Sequence, residues 1–209
     1  MIVPRVLLVK NLGTFDRFLR VLLAELCILI AFFWAAQEWQ IPLYLAGVLV
    51  LVQAATGRCG LYGILGWNSC EKIKRKDKNL MATFLVIALV VAVVGSYASI
   101  IVTKNIFIED LSNVIEPYSL TIQSLSAGQG EKAIEEHGLL ESAWRAFQEK
   151  YSVYRPFAVR FDEEFALAMQ NITTAISSSG EEIRQGHLAG ALDELQRAEP
   201  SFQELQKQK

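Results

Sequence analysis

The stretch Thr56–Cys70, TGRCGLYGILGWNSC, decides how the first half of the chain is read. It closes an uncharged run, Ile41–Gly57, and sets Gly57, Gly60, Gly63 and Gly66 three residues apart. It also holds two of the three cysteines, Cys59 and Cys70, and the densest basic run of the protein, Lys72–Lys78, follows it directly. Three-residue steps fall short of a 3.6-residue turn, so on a continuous helix the glycines form a slowly winding ridge without side chains. Such a ridge invites close packing against a second helix. On the same helix Cys59 and Cys70 stand about 16 Å apart along the axis, too far for a disulfide. A break near Gly66–Asn68 brings them closer. They form a candidate thiol site, since the neighbouring Arg58, Lys72 and Lys74 favour thiolates. Packing cysteines are the simpler account. Zinc lacks further Cys or His ligands nearby, and no phosphate-loop pattern is present.

Working outward, Val21–Ala36 carries one charge, Glu25, and Phe18–Trp39 is long enough to cross a hydrocarbon core of roughly 30 Å. The link Gln37–Pro42 has no Lys or Arg, so the two apolar segments read as an antiparallel helical hairpin. A turn near Trp39–Gln40 sets Glu25 opposite Ala54, within reach of Gln53 and Arg58. A carboxylate in hydrocarbon costs a few kcal/mol unless it is paired, so Glu25, Gln53 and Arg58 are expected to form an intramembrane polar contact. A third segment, Leu80–Val102, has 23 residues without a charge. Its Ala88, Ala92 and Ser96 lie four apart with Gly95 and Ser99 beside them, a small-residue face suited to helix packing.

Charge divides the 209-residue chain in two. Residues 1–104 hold 11 Lys/Arg against 5 Asp/Glu, a net of +6; residues 105–209 hold 9 against 17, a net of −8. Basic residues flank the first segment on its N-terminal side (Arg5, Lys10, Arg17, Arg20) and fill the second link, while only Lys104 follows the third segment. The positive-inside rule then places the N-terminus and residues 70–79 in the cytoplasm. The C-terminal half is expected in the periplasm of a bacterial inner membrane.

That half shows four apolar stripes with alternating steps of three and four. They run through Phe107–Leu125, Leu140–Tyr154, Phe161–Ala175 and Leu188–Leu205. Breaks are expected at Gly128–Gly130, Arg155–Pro156 and Ser177–Gly180, with Ser179 and Glu182 as a capping box that opens the last helix. Pro117 is expected to bend the first helix and Pro200 to kink or end the last. The expectation is an all-α chain: residues 1–78 with a transmembrane hairpin, 79–104 a third transmembrane helix, and 105–209 an up-down four-helix bundle. The Glu-x-x-His pairs of di-iron bundles are missing at His137 and His187, and the aromatics read as core, so no cofactor or metal is expected. His137 falls on the apolar stripe and reads as a buried, hydrogen-bonded histidine.

Two motifs join these readings. N-x-G-x-x-D-R-x-x-R (Asn11, Gly13, Asp16, Arg17, Arg20) precedes the hairpin. T-G-x-C-x-L-Y-x-x-L-G-x-x-x-C (Thr56, Gly57, Cys59, Leu61, Tyr62, Leu65, Gly66, Cys70) follows it. Over residues 10–70 the pair resembles the YgaP-like inner-membrane transmembrane domain family, with Gly60 standing where the family usually has proline. The resemblance implies a helical hairpin that dimerises, with both ends cytoplasmic. It does not bring sulfurtransferase activity, which in the family belongs to a separate rhodanese domain. The expectation is therefore a non-enzymatic inner-membrane accessory protein, a homodimer in lipid, whose acidic domain meets a basic protein partner and not nucleic acid. The competing readings are a periplasmic ligand sensor and a thiol or sulfur relay through Cys59 and Cys70.

Overall fold

The hairpin turns earlier than its polar residues suggest. The computed structural model describes residues 10–69 and 78–207, and in it α1 (Thr14–Phe33) is followed after only three residues by α2 (Gln37–Thr56). Gln37, Glu38, Trp39 and Gln40 form the first turn of α2, not a link. Glu38 lies where the helix dipole favours an acid, and the Gln40 side chain donates to the Ala35 carbonyl at 3.1 Å. Pro42 is accommodated inside the helix. The turn therefore falls about four residues before the expected Trp39–Gln40, which shifts the antiparallel register by about twice that.

The hairpin seam is built from small residues. Ala24 and Ala31 on α1, and Gly47 and Ala54 on α2, are buried, seven apart on each helix. A Cβ at Gly47 would stand 3.2 Å from both the Ala24 carbonyl oxygen and Ile28 Cγ1. Close backbone approach of this kind holds apolar helices together where no hydrophobic drive separates protein from lipid. Phe15, Leu19, Leu23, Leu26 and Ile30 run down the opposite, exposed side of α1.

A short helix, α3 (Gly60–Leu65), follows α2, and α4 (Lys78–Ser126) begins after residues 70–77. Among the described residues, two helices are long and apolar enough to cross a membrane: α2, and α4 from Asn79. The small-residue face of α4 turns toward α1. Phe84 stacks on Phe18 at 4.1 Å between ring centroids. A Cβ at Gly95 would stand 3.0 Å from Leu29 Cδ1, and Trp34 Nε1 donates to Ser99 Oγ at 3.1 Å. Ala88 and Ala92, half-buried, lie between these contacts. Residue number rises along both helices in step, so α1 and this part of α4 are parallel.

The chain divides into two compact units between Ser99 and Ile100. In the second unit, α4 from Ile100, α5 (Gly130–Val153), α7 (Glu164–Arg184) and α8 (Leu188–Gln206) surround one core, with a single-turn α6 (Phe157–Arg160) between α5 and α7. Phe107 meets Phe147, Tyr151 and Phe165, and Tyr118 and Trp144 both meet Phe202. Single side-chain bonds join the helices across the core: Tyr151 to Asp110, Trp144 to Thr173, and Asn171 to Ser201. The described residues contain no strand.

Three local expectations are corrected here. Ser177–Gly180 is not a turn: α7 continues to Arg184, and the reversal is made at Gly186, with φ +80°. Ser179 consequently caps nothing and lies buried within α7. Phe161 is 74% exposed, because α7 begins only at Glu164, whose N–H is accepted by Asp162 Oδ1. Of the two outcomes expected at Pro200, α8 does not end there: the proline lies inside the helix, which runs to Gln206.

Replacing Gly47 by Leu forces a side chain into the α1–α2 contact. We expect the variant to lose about 1–3 kcal/mol, the usual cost of overpacking a tight seam, in denaturing-detergent titration of the purified protein. Val48→Leu, at the adjacent exposed position, should leave the midpoint unchanged.

Candidate functional site

The end of α2 is where the two sequence motifs meet. A helix terminates with carbonyls that lack intrahelical partners. Gly57 stops α2 in the left-handed conformation, φ +69°, and its N–H bonds the Gln53 carbonyl. The remaining carbonyls are met from α1. Arg17 Nε donates to the Ala54 carbonyl at 2.6 Å, and its second guanidinium arm to the Ala55 carbonyl at 3.0 Å. A cation at a helix C-terminus also sits against the negative end of the dipole.

Asn11 forms the second part of the clasp. Its side-chain amide donates to the Cys59 carbonyl and accepts from the Cys59 N–H, both at 2.8 Å, as a paired backbone strand would. The N–H groups of Asn11 and Leu12 both donate to the Gly57 carbonyl. Ser69 closes the ring. Its N–H donates to the Asn11 carbonyl, its hydroxyl donates to Asp16 Oδ2 at 2.8 Å, and it accepts from the Gly13 N–H. Arg20 ties in the last groups. It pairs with Asp16 at 3.1 Å, both side chains being over four-fifths buried, donates to Gln53 Oε1 at 2.6 Å, and lies over the Tyr62 ring at 5.2 Å.

This geometry revises the expected polar pair. Gln53 is engaged by Arg20, and Arg58 is exposed. Glu25 faces neither, because the earlier turn places Gly47, not Ala54, across the hairpin from Ala24. One Glu25 carboxylate oxygen, Oε2, is buried without a hydrogen-bond partner. The glycine ridge is revised too. Gly57 and Gly66 are left-handed helix stops, φ +69° and +67°, so no continuous helix carries all four. Only Gly60 and Gly63 lie within α3, a six-residue helix with no buried residue. The glycine that lets the hairpin close is Gly47, a position sequence reasoning passed over; its sevenfold spacing from Ala54 was the available signal. Ser69 was missed because a lone serine beside Asn68 carries no pattern. Cys59 is a buried free thiol, 3% exposed. Cys70 and the basic run Lys72–Lys78 lie outside the residues whose side chains are described.

Residues 8–72 match the family described as Inner membrane protein YgaP-like, transmembrane domain. Over that stretch, about a third of its length, the chain is similar to this family. With two helices long and apolar enough to cross a bilayer, the chain is a membrane protein. No curated protein matches it, and no solved structure does. The clasp explains the spacing of the YgaP-like motif: Asn11, Asp16, Arg17 and Arg20 each hold an atom of the segment 53–69.

In the second unit His137, Trp144 and Tyr151 are engaged in packing. His137 is buried, and its Nε2 lies 3.0 Å from both the Ile176 carbonyl and Ser179 Oγ. Ser179 Oγ donates to the same carbonyl, so the network assigns the proton to Nε2. Gly180 makes room for the ring: a Cβ there would stand 2.8 Å from His137 Cε1. Burial lowers the His137 pKa, outweighing the Ile176 bond and the Glu141 charge that raise it, while Arg184 lowers it further. Tyr151 donates to Asp110 at 2.5 Å, where Lys150 also pairs. Burial, then Asp110, pushes the Tyr151 pKa up. Among the described residues no group of three or more His, Cys, Asp or Glu could hold a metal.

Two measurements follow from this geometry. Asn11→Ala leaves the Cys59 N–H and carbonyl unpaired, a loss of about 1–3 kcal/mol per buried group. Alkylation of Cys59, read by peptide mass mapping without denaturant, should become markedly faster than in the parent. His137 has a folded pKa below its unfolded value of 6.5. The unfolded state therefore binds the proton first, and the stability contribution is present above pH 6.5 and lost as pH falls through the folded pKa. Thermal midpoints should decline over that window, and His137→Gln should flatten the decline.

Proposed function

We propose that the protein is a non-enzymatic accessory protein of the bacterial inner membrane, holding an acidic helical domain at the periplasmic face for a basic protein partner. The reading takes α1, α2 and the first part of α4 as three spans. It puts the clasp and the basic segment 70–79 in the cytoplasm, and gives the C-terminal unit an up-down four-helix bundle. The parallel course of α1 and α4 around the intervening antiparallel α2 supports an odd number of crossings. The basic flanks of residues 5–20 and 72–78 support the orientation. A homodimer through the hairpin is part of the proposal, resting on the family resemblance.

The observation that carries the reading is how the polar groups are employed. Asn11, Asp16, Arg17 and Arg20 of the first unit are committed to closing the hairpin. In the second, His137, Tyr151 and Trp144 are tied to Ser179, Asp110 and Thr173. What that unit offers outward is charge, 17 Asp/Glu against 9 Lys/Arg over residues 105–209. Such a surface steers a basic partner and resists polyanions.

Cross-linking in native membranes, with mass spectrometry of the captured protein, tests the role. A basic partner should be captured by the parent, less at high salt, and hardly at all by a variant with Glu131 and Glu135 changed to Lys. Capture indifferent to both changes would remove the electrostatic reading. Impermeant thiol labelling tests the topology: a cysteine at Glu135 should react in intact spheroplasts, and one at Lys76 only after permeabilisation.

A further inference from the structure

The second unit has one surface that departs from its acidic character. Lys150–Phe161, KYSVYRPFAVRF, holds three basic residues, no acidic one and four aromatics. The loop is firmly seated. Pro156 and Val159 are fully buried, Arg160 donates to the Arg155 carbonyl, and the Arg155 guanidinium lies over the Phe165 ring at 5.5 Å. Seated in this way, it turns apolar groups outward. Phe161 is 74% and Val153 58% exposed, and Phe157 meets Phe161 edge-on at 5.8 Å. Exposed Ile134, elsewhere in the unit, stands beside Glu131 and Glu135, whereas here the acids begin only after Phe161, at Asp162.

The position of this loop along α4 identifies what covers it. Tyr154 is hydrogen-bonded to Thr103. Thr103 comes directly after the uncharged run Leu80–Val102 and before Lys104, and Ile101 and Val102 are themselves exposed. The loop therefore lies level with the end of the apolar run, where a bilayer containing that run has its headgroups. Aromatic side chains favour that layer, and arginines there meet lipid phosphates.

We propose that Val153–Phe161 is a membrane-interface collar: Val153, Phe157 and Phe161 enter the headgroup–acyl boundary beside α4, and Arg155 and Arg160 engage the phosphates of anionic lipid. The proposal rests on the membrane reading of α4, with the bilayer as the occupant. The collar fixes how close the second unit sits to the lipid surface.

The test uses the full chain in nanodiscs of phosphatidylglycerol and phosphatidylcholine brominated near the headgroup end of the acyl chains. Fluorescence is read as the difference from the parent, so that the native tryptophans cancel. Tyr97→Trp, on the exposed side of α4, reports the span; Phe161→Trp reports the collar; Ile134→Trp is the distant control. We expect the added emission at 161 to be blue-shifted and quenched about twofold or more, as for an interfacial tryptophan, with no quenching at 134. Changing Arg155 and Arg160 together to Gln should reduce quenching at 161 in the anionic discs. Quenching at 97 without quenching at 161 overturns the collar and leaves the span standing. A blue shift at 161 without quenching also overturns it, since a protein surface would then cover the loop. Absence of quenching at 97 overturns the membrane reading itself.

Discussion

The carbonyls at the end of α2 set the terms for the first unit. A helix leaves its last carbonyls without intrahelical partners, and α2 ends without a basic residue of its own to cover them. The partner has to arrive from another segment. Arg17 arrives from α1, and it makes its two bonds to Ala54 and Ala55 with α1 and α2 in the register set by Ala24 and Gly47. Capping and packing thus specify the same register. Asn11 and Asp16 extend the arrangement by holding Cys59 and Ser69, so the segment after α2 folds back over the base of the hairpin.

This dependence explains why glycines appear where they do. Gly57 and Gly66 stop helices in a conformation that L side chains rarely adopt. Gly47 admits a neighbouring backbone. Three-residue spacing made the first set look like one helical ridge, but spacing describes a ridge only if the helix is continuous. Two left-handed residues nine positions apart deny that continuity. The residues themselves were legible; the backbone conformation that gave them their purpose was not.

The same distinction separates what could and could not be read elsewhere. The apolar stripes of the second half put Phe107, Leu140, Trp144, Ile172 and Leu195 in one core, because burial follows periodicity. The turns were harder. Ser177–Ser179 followed by Gly180 looks like a loop by composition, yet Gly180 is small so that His137 can lie against α7, and Ser179 is polar because the imidazole needs a partner. At the hairpin, Gln37–Gln40 looked like a link because it is polar, while a first helical turn is equally a place for polar residues. Composition marks such segments as unusual without saying which tertiary neighbour makes them so.

The clasp bears on how the hairpin packs against α4. Phe18 and Leu29 of α1 and Trp34 at its C-cap, which meet α4, span the helix from just past the clasp to its far end. Fixing the base of α1 through Arg17, Arg20 and Asp16 fixes the face those three residues present. The small-residue side of α4 then has one defined surface to pack on, with Gly95 allowing Leu29 to approach where a larger residue would hold it off. Glu25 lies within the same α1 surface, at a depth between the Phe18–Phe84 stack and the Trp34–Ser99 bond. Its buried, unpartnered Oε2 makes it the costliest polar atom of this unit to keep there. The polar bonds at the base and the apolar contacts above it are thus parts of one mechanical unit.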